Sequence, residues 1–476
     1  MKNTFAIVCE WPNANAAENE TIARMKIAAS VIKKNVLVID KVGNILDDNL
    51  NVTPNIIQNK DIDFVINLHF ASPKCYDGFS YVALWNPIRF YHDWGYERYS
   101  YNLLTHHDFI SCLSEPANDH AARISYINNT KHLKPEMVLN HTNCNSYYDP
   151  NSERDSIFYC GINWDKSSGK SRFSQMFQIL DNKNILKIYG PKKLGKIIPW
   201  EGFKSYVDEI PFDGVSTFQE ISKCLLGLAL SHEAHIESEI ASSRVFELIA
   251  GGALPICDEN RFFKEYFGKK ILYVSGNDKE KAKQISNHYN WALQNKDKVK
   301  QMVNILQSHM KENFDLSTQL NTLYQKHQKR RELIEKQYCS LERRYQVNIV
   351  YIHLVTNKKE YEDDFKKLII SVKNQNYQNM NILIASNSAE LSKIVALDEL
   401  GIKYKVVTHC YNKYNQLGLI LNDIKNHIKE SENQLFVVTT RYESFFYDHI
   451  SALVRNFEDK AHCQATESIC VLKGKQ

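Results

Sequence analysis

The sequence predicts an α/β protein made of three units, each with a parallel sheet. Two observations carry this. Apolar runs of strand length recur between helix-like stretches along most of the chain, the pattern left when each strand is followed by a covering helix. The 476 residues also exceed what one hydrophobic core supports, so the alternation must be shared among domains.

Composition narrows the class. With 43% hydrophobic and 24% charged residues the chain can bury real cores and is not a disordered polymer. The net charge of +4 is too mild for a nucleic-acid binder, although it suits an anionic small substrate or a membrane surface. The 11 cysteines are scattered without a C-x-x-C pair, so neither a zinc site nor a disulfide framework is expected, and a reducing cytoplasm fits. The opening MKNTFAIVCEWP is interrupted by Glu10 and reads as a first strand, not a signal peptide, and no later run reaches membrane-spanning length.

The first unit, residues 1–150, runs FAIVC, helix ENETIARMKIAASVIKK, NVLVID, DFVINLHF, YVALWN and DFISCLS. Glu10 and Trp11 follow the first of these strands and His69 follows DFVINL. Strand ends of this kind face the ligand side of an α/β sheet, making Glu10 and His69 candidates for an acceptor contact or general base, with an ordinary loop role as the alternative. The stretch WNPIRFYHDWGYERYSY is unusually aromatic, which suits stacking on sugar faces as well as packing of a loop. From Lys131 to Ser156 the residues are rich in Asn, Ser, Asp and Pro and read as a linker or surface loop.

The second unit, residues 151–312, repeats the pattern through IFYCGINW, RFSQMFQILD, ILKIYG, SYVDEI, EISKCLLG and LALS, and closes with ILYVSG and an amphipathic helical stretch. Residues 313–345 form a long basic helix without Gly or Pro and read as a solvated connector. Residues 346–476 restart the alternation with NIVYIHLVTN.

Within the second unit, ESEIASSRVFELIAGGALPI combines a helix with a crowd of polar groups. Ile240, Val245, Phe246, Leu248 and Ile249 suit one buried face, Ser242 and Ser243 the N-terminus, and Gly251 and Gly252 the stop. A plain helix explains that much. It does not explain His232, Glu233, His235, Glu237, Glu239 and Arg244 gathered after the strand LALS, where free backbone N–H groups favour an anion. Arg244 adds a forked cation suited to a phosphate or diphosphate, and Glu247 at i+3 lies on nearly the same face, placed to accept hydrogen bonds from ribose hydroxyls. His232-Glu233-Ala234-His235 has its histidines one residue too close for helical zinc ligation, so no metal is expected.

Glu239-x7-Glu247 followed by Ala253-Leu254-Pro255-Ile256 resembles the donor site of GT-B glycosyltransferases. More loosely it is similar to bacterial α-1,3-fucosyltransferases, with Ser243-Arg244 standing in place of Glu-Lys. The resemblance spans roughly residues 157 to 330, with Gly161 and Tyr189 at the ends of the first two strands. It implies two Rossmann-like domains of GT-B type, the second (151–312) holding a nucleotide-sugar donor and the first (1–150) the acceptor. It further implies Glu239 at the sugar or reacting centre, Glu247 at the ribose, and Arg244 with Ser243 at the diphosphate, beside Glu233 and the loop cations Lys170 and Arg172. No cofactor is expected, because such sites stabilise the leaving diphosphate with cations and helix N-termini.

The last unit resembles the opening of GT-A glycosyltransferases of the large inverting family, with Gly418 and Asn422 matching its G-x-x-x-N. Thr439-Thr440-Arg441 stands where that family carries Asp-x-Asp, so the implied module lacks its metal carboxylates and is non-catalytic, or a fragment. The expected function is transfer of a sugar from a nucleotide-sugar donor to a saccharide or lipid-linked glycan in bacterial lipopolysaccharide or capsule synthesis, without a metal and with retention of configuration. A CMP-linked donor, inversion, and a non-catalytic sugar- or nucleotide-binding scaffold stay open as alternatives. The expected setting is cytoplasmic, with peripheral contact to the inner membrane or a multi-enzyme complex left open.

Overall fold

The computed structural model describes residues 2–12, 14, 17–127, 134–143, 147–150, 154–162, 173–339, 346–353, 370–372, 375, 380–386, 404–408, 419–420, 423–424 and 434–439. The first domain holds strands β1 (Thr4–Val8), β2 (Asn35–Ile39), β3 (Asn44–Leu46), β4 (Val52–Ile56), β5 (Val65–Asn67), β6 (Ser80–Ala83), β7 (Asp108–Ser111) and β8 (Met137–Val138). Its helices are α1 (Ala17–Val31), α2 (Ile88–Trp94), α3 (Tyr96–Leu104) and α4 (Glu115–Ile127). The sheet order is β4-β3-β2-β1-β5-β6-β7-β8, parallel except for the β3–β4 hairpin appended at one edge. β5, β6 and β7 are buried along their whole length, as continuous apolar runs covered on both faces should be.

The second domain comprises β9 (Ile157–Cys160), β10 (Leu186–Tyr189), β11 (Tyr206–Asp208), β12 (Leu226–Ala229), β13 (Leu254–Asp258) and β14 (Leu272–Val274). Around them lie α5 (Ser174–Asp181), α6 (Ser216–Ile221), α7 (Glu233–Glu237), α8 (Ser243–Ala250), α9 (Arg261–Tyr266), α10 (Asp278–Gln294) and α11 (Lys296–Asn313). Its order, β11-β10-β9-β12-β13-β14, is all parallel and is that of a doubly wound sheet. Helix α8 begins after Ser242 and ends at Gly251, with Gly252 at φ +82°. Val245, Phe246, Leu248 and Ile249 are fully buried, each contributing roughly 1.5–3 kcal/mol of transfer free energy, which fixes the helix on the sheet.

Two expectations change. The stretch expected as a linker, 131–156, contributes β8, which adds to the sheet through Ile110↔Met137 and Ser111↔Val138. Two residues are too few to show alternation, so the strand was invisible to pattern reading. The helix expected as a solvated connector is α12 (Leu316–Cys339), and it packs back on α1 and β8 of the first domain. Leu320, Leu323, Tyr324 and Ile334 enter that domain's core. Buried polar residues broke up the stripe: Arg330 donates to both oxygens of Asp108 at 2.7 and 3.0 Å, and His327 Nδ1 bonds Tyr81 Oη at 2.9 Å.

The third unit shows four parallel strands, β15 (Gln346–His353), β16 (Met380–Ser386), β17 (Tyr404–Thr408) and β18 (Gln434–Thr439), in the order β17-β16-β15-β18. Gly418, Asn422, Thr440 and Arg441 lie outside the described residues.

Candidate active site

In a doubly wound sheet the crevice for a ligand opens at the carboxyl ends of the strands, where the strand order reverses. In the second domain that point lies between β9 and β12. β9 ends at Gly161, whose N–H donates to the Tyr189 carbonyl at 3.0 Å and whose carbonyl accepts from Trp200 Nε1 at 2.9 Å. Arg244, in the first turn of α8, extends its guanidinium over this end, 5.3 Å from the Tyr159 ring centroid. A Cβ on residue 161 would stand 2.8 Å from Arg244 Nη2 and 2.9 Å from the Tyr159 hydroxyl, so only glycine lets the cation lie there.

The amino end of α8 faces a cleft of about 220 Å³ between the domains. Ser242, Ser243 and His235 line it from the second domain, and Trp85, Asn140 and His141 from the first. Ser242 occupies the N-cap position without a side-chain capping bond, so the helix presents its positive end to the cleft. Asn140 is buried, and its Oδ1 has no hydrogen-bond partner among the described residues, which leaves an acceptor on the opposite wall.

Beneath this cleft the domains are joined by buried charge. Arg24 of α1 donates from Nη1 to Glu247 Oε1 at 2.9 Å, and from Nη2 and Nε to Glu20 Oε1 at 2.7 and 3.0 Å. The other oxygen of Glu20 accepts from the Gly214 N–H at 2.8 Å, so α1 grips the second domain at two points. Burial works against the Glu247 carboxylate, but Arg24 and then Arg244 outweigh it and hold its pKa below the usual carboxylate range. His141 stacks on Trp85 at 4.7 Å, bonds Thr21 Oγ1 at 2.7 Å, and is pulled down to about 4 by burial and by Arg24, so it is neutral.

The first sheet reverses between β1 and β5, and Glu10 and His69 flank that point. Glu10 is buried, accepts from Ser72 Oγ at 2.5 Å and lies 3.8 Å from Lys41 Nζ; burial raises its pKa against the pull of these partners. His69 is drawn down to about 4 by burial. Its Nδ1 accepts from the Ala71 N–H at 3.0 Å, which places the proton on Nε2. His69 therefore presents its Nε2–H as a hydrogen-bond donor, while the Glu10 carboxylate beside it is an acceptor.

The other expected residues scatter. Glu239 has a left-handed backbone, φ +53°, and pairs with Arg261 at 3.0 Å. Glu233 reaches Arg89 of the first domain at 3.5 Å on the surface. Tyr189 belongs to the core, stacked on Phe158 at 5.3 Å with its hydroxyl bonded to Glu220 at 2.7 Å. Lys170 and Arg172 lie outside the described residues. Sequence reading missed Arg24, whose i, i+4 spacing from Glu20 was the available signal, and His141, hidden in the supposed linker. Among the described residues, no group of three or more His, Cys, Asp or Glu is placed to hold a metal ion, and no helix is long and apolar enough to cross a membrane.

Fold and site together define a chain with two facing doubly wound α/β domains and a cleft between the carboxyl ends of their strands. No protein-family model matches the chain, and no curated protein is significantly similar to it. Among solved structures it is similar to sucrose-phosphate synthase from Thermosynechococcus elongatus, with 10% identity and a TM-score of 0.47 over 68% of this chain and 98% of that one. It is similar to an alpha-glucosyltransferase solved with UDP and DNA, with 11% identity and a TM-score of 0.47 over 68% and 99%. A third is WaaG, a glycosyltransferase involved in lipopolysaccharide biosynthesis, with 10% identity and a TM-score of 0.42 over 69% and 99%.

Proposed function

We propose that the chain is a GT-B glycosyltransferase that moves a sugar from a nucleotide-sugar donor to a glycan acceptor. The observation that carries this reading is the meeting of Arg244, in the first turn of α8, with the glycine end of β9, next to the interdomain cleft that the amino end of α8 lines. A departing nucleoside diphosphate gains negative charge as the sugar becomes oxocarbenium-like, and a fixed guanidinium with a helix N-terminus stabilises that charge without a metal. In this reading Ser243 and Arg244 hold the diphosphate, Gly161 lets it approach β9, Glu247 binds the ribose, and Glu239 supports the sugar. Glu10 faces the acceptor from the first domain.

Glu247 meets Arg24 in this structure, so donor binding requires the ribose to share or displace that contact. The Glu-x7-Glu spacing favours retention of configuration, and a bacterial surface polysaccharide, lipopolysaccharide or capsule, is the acceptor class the reading implies, with the last unit serving as a GT-A-like accessory module. The test is a thermal-shift screen with UDP-, GDP-, ADP- and CMP-linked sugars, since a ligand bound only by the folded state raises Tm. A shift for one donor, lost in Arg244→Ala, supports the reading; no shift with any donor overturns it.

A further inference from the structure

Beside the cleft the first domain carries a feature that donor chemistry leaves unused. Trp11 and Trp94 are 39% and 52% exposed, although indole is among the largest apolar groups a chain can hide. Each belongs to a connected ribbon of rings. Trp11 meets His69 at 5.1 Å edge-on, His69 lies parallel to Trp94 at 6.4 Å, and Trp94 stacks on Phe90 at 4.9 Å. Phe90 then reaches His235, a cleft residue of the second domain, at 5.8 Å. Each step is comparable to the length of one pyranose ring.

The rings are held rigidly from behind. Phe70 is fully buried and lies 13° from parallel to Trp94, at 5.8 Å, while Tyr91 and Tyr99 pack on Phe70 at 4.3 and 4.8 Å. Hydrogen-bonding groups sit at the far end of the ribbon. His69 offers its Nε2–H, and the buried Glu10 carboxylate, anchored by Ser72 and approached by Lys41, supplies an acceptor. Two exposed indoles joined by smaller rings, with a fixed donor and acceptor beside them, suit a pyranose chain, whose flat faces are apolar and whose edges carry hydroxyls.

We propose that this ribbon is a multi-subsite track for an oligosaccharide, running from Trp11 past Trp94 to the interdomain cleft. It deepens the glycosyl-transfer reading, on which only the direction of the chain rests: the sugar at the cleft end is the one that receives the new unit. The acceptor is then an oligosaccharide of several residues, recognised over its length, and not a single sugar.

The experiment uses the full chain on an array of malto-, cello-, chito- and galacto-oligosaccharides of one to six units, with isothermal titration of the best series. Binding should strengthen at least tenfold from the monosaccharide to the longer members. Trp94→Ala and Trp11→Ala should each lose at least tenfold, with Tm unchanged and Trp94→Phe retaining most of the affinity. Affinity that ignores chain length, binding that survives in the double Trp11→Ala, Trp94→Ala variant, or no saccharide binding in any series overturns the track. Binding to phosphatidylglycerol vesicles in place of saccharides, lost in the same variants, overturns it in favour of a membrane face. Nucleotide-sugar thermal shifts on the same samples separate the two readings. Length-dependent saccharide binding without a nucleotide shift keeps the track and retires glycosyl transfer; a nucleotide shift without saccharide binding retires the track.

Discussion

Replacing Arg24 with Met tests whether buried charge fastens the two domains together. Arg24 is almost completely buried between Glu20 and Glu247, and the substitution leaves two carboxylates facing one another across the interface without their cation. Removing one partner of a buried ion pair costs about 3–5 kcal/mol. Gly214 N–H still serves Glu20 and Arg244 still lies near Glu247, so the lower end of that range applies. For domains of this size that loss lowers Tm by roughly 6–12 °C. Differential scanning calorimetry of Arg24→Met against the parent measures it. Acid provides an internal control. In the parent, Glu247 is held below its unfolded pKa, so its contribution is present above that pKa and is lost as pH falls through the folded value. In the variant Arg24 is gone and only Arg244 opposes burial, so the Glu247 carboxyl takes up its proton at higher pH than in the parent and protonation relieves the variant first. The gap in Tm should narrow between about pH 7 and pH 4.5, and adding Glu247→Gln should recover much of the loss. A Tm within about 2 °C of the parent, or a gap that does not change with pH, would refute the reasoning.

Gly161→Ala should push Arg244 off the end of β9, because the new methyl would stand 2.8 Å from its Nη2; the nucleotide-induced thermal shift should fall sharply while the fold persists. Arg330→Met strands Asp108 in the core and should cost about 3–5 kcal/mol, visible as earlier urea unfolding of the first domain. The His141 imidazole should titrate near 4 by NMR, and a midpoint close to that of free histidine would mean that the Trp85–Thr21 nest is open in solution.

Much of this architecture was legible because the central strands are continuous apolar runs. FAIVC, DFVINLHF and LALS announced β1, β5 and β12, and the stop at Gly251-Gly252 marked the end of α8 to within a residue. That Arg244 opens a helix after LALS followed from the same pattern, whereas its reach over the end of β9 did not. What pattern could not reach depends on distance in sequence. Glu247 finds Arg24 223 residues away, and neither residue's neighbours hint at the other. Tyr189 looked like a site residue because it ends a strand, yet strand ends carry both ligand-facing and core-facing side chains, and only the bond to Glu220 decides which. α12 was misjudged because His327 and Arg330 are buried through partners that composition counts as surface charge.

The return of α12 also sets how the chain can be divided. A fragment ending near residue 150 would lack Leu320, Leu323, Tyr324 and Ile334 and would expose the floor they cover, along with an unpaired Asp108. The second domain is thus an insertion within the first, and the first domain cannot be obtained by simple truncation. Since β15 starts shortly after α12 ends, the last unit is tethered to the domain that bears the aromatic ribbon, and removing α12 would detach it from that partner.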